Sequence, residues 1–517
     1  MLVPDASVPA PVAELPASFA QADSATVYNP LRWWTSYEDE ALNRLIDTVL
    51  VANLDLAEAV ARVDEARARA VSSQSGLLPS LSASGSVNYS DSPLNAGQFA
   101  AFGGGGNPDG APGDSTSAPT GGGGGSDRIS FTTTSLSLAT QYELDFWGRI
   151  RSEARASIGD VYAAVADLHT ARLGVLAQVI TTYFEIVDLR QRIALTVESL
   201  DVLNDRLTVT EDRYQRGLVP SFELYQLRQE FRSTQASLPQ LERQHANAEG
   251  RLAVLAGLYP SQLDTLLPAG PQPRLPADDI PTGLPAELLI QRPDVRAAAY
   301  RFESARYRIG VARAQLFPSI SLSGSLGLQS NEIGDLFDPS QWIANLTAGL
   351  TAPLFQGGRL RANVEASEAA FRRTGAAYAR SVLTAFSEVE SALEAHEEER
   401  QRYALILDQL NEARGSLNLQ SDRYQRGVGT LTDYLDALRA EVAVRTQLTS
   451  AARAFALARL DVHRALGGGW TDNGVAPTIQ LVEGNVATPE PLDDLTMRPA
   501  IPVLSVPDLP ETQASNN

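Results

Sequence analysis

From residue 80 to 89 the chain alternates without a break. Ser80, Ser82, Ser84, Ser86 and Asn88 fall on one side; Leu81, Ala83, Gly85, Val87 and Tyr89 fall on the other. The pattern returns with Ser319, Ser321, Ser323 and Ser325 against Ile320, Leu322, Gly324 and Leu326. A period of two predicts strands. Two further segments, 128–146 and 342–355, alternate less cleanly, as in Leu346, Ala348 and Leu350, with Pro353 suited to a strand end. Such strands fit a sheet packed on helices with serine facing water. They fit equally a transmembrane barrel wall, for which about 10 residues suffice, with serine lining a watery lumen. Tyr89, Phe131, Tyr142, Trp147, Trp342 and Phe355 lie near strand ends, where an aromatic girdle would sit. Lipid cannot satisfy an open strand edge, and barrels start at about eight strands. Four strands per chain therefore require an oligomer if they cross a membrane.

Elsewhere the apolar period lengthens. Ile193, Leu200, Leu207 and Tyr214 are seven apart, as are Tyr403, Leu410, Leu417 and Tyr424. This is a coiled-coil seam. It predicts helices from Arg149 to about Gln215 and from Arg359 to about Gln425, each on the order of 100 Å. Shorter helical patterns cover 40–75, 221–257, 286–316 and 430–467. Each short pair sums to about one long helix, so two short helices laid end to end beside each long one would make a rod with the strands at one end. Pro239 should kink or interrupt its helix.

The two sets of elements are copies. "DRYQRG" occurs at 212–217 and again at 422–427, and "FWGRIRSEARAS" from Phe146 matches "QGGRLRANVEAS" from Gln356 at the same offset of 210. "GLLPSLSASGSVNYS" from Gly76 matches "QLFPSISLSGSLGLQS" from Gln315 at an offset of 239, so the first copy holds 29 extra residues. The surplus sits around the glycine-rich stretch 102–126, which reads as a flexible loop; a phosphate cradle would need a Lys-Ser/Thr that does not follow. Gly217 and Gly427 each close a long helix ahead of a returning one, and Pro220 supports a turn. Each "DRYQRG" is thus the tip of a helical hairpin.

Composition narrows the function. The 517 residues carry a formal net charge of −20, which disfavours nucleic acid as a partner. There is no cysteine and no lysine, so all 42 basic residues are arginine. Thiol chemistry is excluded. No apolar run approaches the roughly 20 residues of a membrane helix, and no basic-then-apolar signal opens the chain. The proline-rich start reads like a mature protein with its targeting segment removed. His169, His245, His396 and His463 are scattered without ligand spacing, and no nucleophile stands beside a base. We expect no enzyme activity, no metal and no cofactor.

These strings resemble the TolC-like outer-membrane efflux channels, in the lipoprotein (NodT-type) branch that serves resistance-nodulation-division pumps. The resemblance rests on "VPDASVPAPVAELPASF" (3–19), "WWTSYEDEALNRLIDTVLVANLDLAEAVARVDEARA" (33–68), "LPAELLIQRPDVRAAAYRFESARYRIGVARAQLFPSISL" (284–322), "APLFQGGRLRA" (352–362) and "LDVHRALGGGW" (460–470). It implies a mixed, mainly α fold: a long antiparallel coiled-coil helical barrel, and a β-barrel to which each of three protomers gives four strands. It implies a homotrimeric exit duct in outer-membrane lipid, reaching into the periplasm and served by a periplasmic adaptor and an inner-membrane pump. The alternatives are an outlet for type I protein secretion and, in another class, a soluble coiled-coil adaptor or structural rod.

The expected division is an extended N-terminal segment 1–36, a helix 37–78, strands 79–146 with an extracellular loop 97–127, a helical hairpin 147–260 and a linker 261–285. A second helix 286–317, strands 318–356, a second hairpin 357–470 and a tail 471–517 follow. The branch usually carries a lipid-modified cysteine just before Pro4-Asp5; Met1 stands there, so no lipid anchor is expected in this chain. By resemblance Tyr424, Asp436 and Arg439 match the residues that constrict the closed end. By spacing alone Asp436 and Arg439, three apart on one helix face, are also consistent with solvated charges. In the first copy Gln226 stands at the place of Asp436, and Arg228 is out of register with Arg439. The second copy would then line the gate. The tips, with Arg213, Tyr214, Gly217, Arg423 and Gly427, would dock the adaptor. The acidic excess suggests cation preference.

Overall fold

The computed structural model describes residues 2–4, 32–93, 128–263, 266–267 and 292–468. The glycine-rich stretch, most of the N-terminal segment and of the linker, and the tail lie outside the described residues. In chain order the elements are α1 (Glu40–Ala52), α2 (Leu54–Ser75), β1 (Ser80–Pro93), β2 (Arg128–Leu144), α3 (Arg149–Gln215) and α4 (Ser221–Leu255), then α5 (Pro293–Ala314), β3 (Ser319–Ser330), β4 (Trp342–Thr351), α6 (Arg359–Gln425) and α7 (Leu431–Ala465). The fold is mainly helical with one small sheet. The chain divides into two compact units, one built on 69–156 and 307–368, the other on 5–68, 157–306 and 369–517.

The first unit holds the sheet, antiparallel throughout, in the order β1-β2-β3-β4. Residues directly opposite one another in an antiparallel pair point to the same face. Leu81, Ala83, Gly85 and Val87 pair with Thr140, Leu138, Leu136 and Thr134. Leu136, Leu138 and Tyr142 pair with Leu328, Leu326 and Leu322, which in turn face Trp342, Ala344 and Ala348. One face is therefore mainly apolar, with Thr134 and Thr140 among its members. On the other, Ser84 meets Ser137 and Ser86 meets Ser135 through hydroxyl contacts of 3.0 and 2.9 Å, and Asn345 donates to Ser325 at 3.4 Å. The less clean alternation of β2 and β4 thus resolves into the same two faces. Among the described residues much of both faces is open: Leu81, Val87 and Leu346 are 68, 64 and 79 % exposed and Ser80, Ser82, Ser84 and Ser86 are exposed, while Thr134 and Ser330 are buried. Among the described residues the outer edges of β1 and β4 have no partner strand. Of the expected girdle, the side chain of Phe131 lies outside the described residues, and one member needs correction. Trp147 lies beyond β2, where its indole N–H donates to the Pro318 carbonyl at 2.8 Å and its ring stacks on Phe317 at 4.6 Å.

The second unit holds the hydrophobic core. Trp33, Trp34 and Tyr37, with Leu42, Leu45, Ile46 and Val49 of α1, pack on Leu176, Ile180 and Phe184 of α3 and Leu252 of α4. The Tyr37 hydroxyl donates to the Ala456 carbonyl at 2.9 Å. By length and composition α3 has a window apolar enough to cross a membrane, contrary to the sequence expectation. Leu176, Val179, Ile180, Phe184 and Ile186 of α3 are spent on this core instead. The heptad positions are graded: Leu410 is buried, Ile193, Leu200, Leu207, Tyr403, Leu417 and Tyr424 are half-buried, and Tyr214 is exposed.

Two helix expectations are corrected. The pattern over 40–75 forms two helices because Asn53 ends the first. Its side chain donates to the Leu255 carbonyl at 2.7 Å and accepts from the Leu56 N–H at 2.9 Å. Gly257 lets the chains meet there, since a Cβ on it would lie 2.4 Å from the Ala52 carbonyl oxygen. Conversely α4 runs through Pro239 unbroken. Pro239 is exposed, so the carbonyl it strands four residues back is open to water.

The Arg-Pro-Asp string acquires a structural role. Buried Arg292 donates to the Ala465 carbonyl at 2.9 Å and pairs with Asp294 at 2.8 Å and Glu388 at 2.6 Å. It fastens the start of α5 to the end of α7 and to α6. Nearby, His463 stacks on Trp33 at 4.8 Å. Burial, with the neighbouring Arg459 and His396, pushes its imidazole down to about 3. It is neutral when folded and titrates near 6.5 when unfolded, so the unfolded chain binds the extra proton first. Its contribution to stability is complete above pH 6.5 and is lost as pH falls toward 3. We expect the melting temperature to drop through that window and His463→Gln to flatten the drop; an unaltered slope would show that other groups set it.

Candidate functional site

The two hairpin tips are built by one backbone device. At the end of α3, Gly217 takes a φ of 73°; its N–H bonds to the Tyr214 carbonyl at 2.9 Å and the Leu218 N–H to the Arg213 carbonyl at 2.9 Å. At the end of α6, Gly427 takes a φ of 72°, with Gly427 N–H on Tyr424 at 3.1 Å and Val428 N–H on Arg423 at 3.0 Å. This is the left-handed glycine cap, in which Arg213 and Arg423 supply equivalent backbone carbonyls.

Beyond the caps the copies part. α4 begins after Pro220 with no side-chain cap, whereas α7 begins with a capping box between Thr430 and Asp433. Tyr214 is 43 % exposed. Its counterpart Tyr424 stacks on buried Tyr434 at 5.9 Å within a cluster with Leu203, Leu227, Leu431, Leu435 and Leu438. Burial raises the Tyr424 phenol above its ordinary range. The Arg206 guanidinium lies 5.0 Å from the Tyr434 ring centre and donates to Ser421 at 3.2 Å, tying α3 to the second tip.

Arg439 lies at the junction of the copies. It donates to Asp436 at 3.0 Å, and its other terminal nitrogen donates to Glu230 of α4 at 2.6 Å. These two carboxylates, Glu230 first, hold its charge still more firmly. Sequence spacing brought Asp436 and Arg439 together but missed Glu230. A signal was present: the string Leu-Arg-x-Glu stands at 227–230 and again at 438–441. Glu441, in the second string, lies 3.7 Å from both Arg414 and Arg445. Arg445 also pairs with Glu198 of α3 at 2.8 Å. Arg228 pairs within its own hairpin, with Glu211 at 2.6 Å, and Gln226 donates to Thr432 at 3.4 Å. Each hairpin thus has a bridge of its own, Arg228 to Glu211 and Arg414 to Glu441, and Gln226, Arg439 and Arg445 tie the two hairpins together. The exposed pairs among them, such as Arg228 with Glu211 and Arg439 with Asp436, are each worth about 0–1 kcal/mol, whereas Glu441 is buried. Exposed bridges hold a structure while present and release it at low cost.

The comparisons with known proteins point one way. The sequence model of the family described as outer membrane efflux protein matches residues 45–258 and 284–468. The pyoverdine export outer membrane protein OpmQ of Pseudomonas putida is 32% identical over 449 residues, 87% of this chain and 90% of that protein. The Campylobacter jejuni CmeC outer membrane channel superposes with a TM-score of 0.78 at 25% identity, over 91% of this chain and 95% of that one. The open state of the Neisseria gonorrhoeae MtrE outer membrane channel gives 0.75 at 27% identity, over 90% and 98%.

Proposed function

The chain belongs to the outer membrane efflux protein family, and on that premise we propose that it is the outer-membrane exit duct of a tripartite efflux pump. Three copies join their sheets into one barrel, receive small molecules from a periplasmic adaptor and an inner-membrane resistance-nodulation-division pump, and release them outside. The observation that carries this reading is the sheet. It has one mainly apolar face, one hydroxylated face and two open edges. A single chain in lipid would leave those edges unsatisfied, whereas three chains bring twelve strands, above the roughly eight a barrel requires. The apolar face then meets lipid and the serine face water.

Cargo moves through such a duct without bonds being made or broken. Small molecules are the favoured cargo because OpmQ is named for export of pyoverdine. Among the described side chains of the serine face Glu143 alone is charged, and it is paired with Arg149 at 2.8 Å. Any cation preference therefore originates outside the strand-lined segment. The tips are the gated end: Asp436, Arg439, Tyr424 and Glu230 hold the second hairpin closed, while Arg213, Tyr214, Gly217, Arg423 and Gly427 form the surface on which the adaptor docks.

The test is extraction and conductance. The chain should require detergent, migrate as a trimer and give discrete conductance steps in planar bilayers. A monomer in the aqueous fraction would end the proposal.

A further inference from the structure

Within the chain the hairpin of α3 and α4 meets α7. Asp188 of α3, 4 % exposed, lies 3.9 Å from Arg453 of α7 and 3.1 Å from Arg192. Leu435 of α7 is fully buried in one cluster with Leu203 of α3 and Leu227 of α4. Each of these residues has a counterpart 210 positions away. On the α3–α4 side Asp188, Leu203 and Leu227 become Glu398, Ala413 and Ala437 of α6 and α7. On the α7 side Arg453 and Leu435 become Arg243 and Tyr225 of α4. The chain therefore carries both halves of a second junction of the same kind, unjoined. Glu398 and Arg243 keep the two charges, but both are exposed and neither forms an ion pair among the described residues. Arg402, the counterpart of Arg192, pairs with Glu399 instead, at 3.1 Å. Tyr225 is 66 % exposed where Leu435 is 0 % exposed.

Size changes on both sides of the unjoined junction. Where two leucines give way to alanine, the leucine opposite gives way to tyrosine, so a larger knob is matched to a wider hole. We propose that these faces dock a second copy of this chain: the neighbouring copy's Arg243 pairs with Glu398, and its Tyr225 fills the space beside Ala413 and Ala437. A partner of a different kind would need only one of the two faces. Here both occur on one chain, opposite in charge and complementary in size, which selects a second copy. The contact runs head to tail, because each copy offers its α4 face to one neighbour and its α6–α7 face to the other, and such contacts make a ring when the rotation closes. The inference rests on the assembly of three copies in the proposed function and deepens it by assigning the helix faces that meet.

The chain has no cysteine, so two full-length single-cysteine forms, Tyr225→Cys and Ala413→Cys, can be co-expressed and treated in membranes with a short bis-maleimide. Together they should give a covalent two-chain product. Neither form alone should give it, because like positions of two copies do not meet in a head-to-tail contact. Arg243→Glu and Glu398→Arg should each lower the temperature at which detergent-extracted trimers dissociate by several degrees, and the two reversals combined should restore most of the loss. Trimers that form without the two-chain product overturn the proposal and leave these faces to another protein. So does a double reversal no more stable than either single one. Failure of the proposed function looks different: wild type would then yield no trimer, and both proposals would fall.

Discussion

Leu326→Arg should abolish assembly in the outer membrane, while Ser325→Arg, one residue away, should assemble. Leu326 lies at the middle of β3, opposite Leu138 on one side and Ala344 on the other. It is 46 % exposed on the mainly apolar face. An arginine facing lipid at the bilayer midplane costs about 2–4 kcal/mol, and every copy in a barrel would bear it. Ser325 is opposite Ala139 and Asn345 on the hydroxylated face, where water solvates a guanidinium. Strand position and residue type are nearly constant between the two variants, so the face is the variable. The measurement is the amount of trimer recovered from outer-membrane fractions by unheated electrophoresis. Equal recovery of both variants would show that the sheet has no lipid face.

The sheet was legible because strand alternation is a local signal that both copies repeat. β2 and β4 were harder, since Thr132, Thr134 and Thr140 lie on the apolar face while Ala139 and Ile343 lie on the serine face. Only the register with β1 and β3 assigns them. The long helices were legible through heptads and glycine stops, which act within a turn or two. What the sequence hid was set at long range. The apolar period runs on through Asn53, which accepts the Leu56 N–H at the start of α2 and also donates to the Leu255 carbonyl, 202 residues away. Of the kink or interruption expected at Pro239, the interruption does not occur, because an exposed proline in a helix held along its length need not end it. The apolar stretch of α3 is a core segment only because Trp33, Trp34 and Tyr37 return to cover it.

The tip shows the same division. Resemblance drew attention to Asp436 and Arg439, and their spacing predicted the bond between them. It allowed a bond to a neighbouring helix as well without naming the partner, and the shorter bond runs to Glu230 in the other copy, at 2.6 Å against 3.0 Å. Glu230 is also the less exposed carboxylate, 20 % against 63 % for Asp436. Water competes less for it, so this bridge between hairpins should hold the closed state more strongly than the one within α7.

Arg439→Ala should accordingly give the largest rise in single-channel conductance of any single substitution at the tip. It removes both bonds at once, whereas Asp436→Ala removes one and leaves Arg439 on Glu230. Glu230→Gln should come second and Asp436→Ala third. If each chain loses about 1 kcal/mol of closed-state stabilisation, three chains opening together lose about 3. At about 1.4 kcal/mol per decade, the open fraction would rise about a hundredfold until it saturates. Asp436→Ala with Arg439→Ala should add little to Arg439→Ala alone, because the aspartate bond is already gone. That non-additivity separates a shared bridge from two independent charges, which would add. The readout is conductance in planar bilayers for the four variants and wild type. Additive effects, or a larger response to Asp436→Ala than to Glu230→Gln, would remove Glu230 from the latch and leave Asp436 and Arg439 as solvated helix charges.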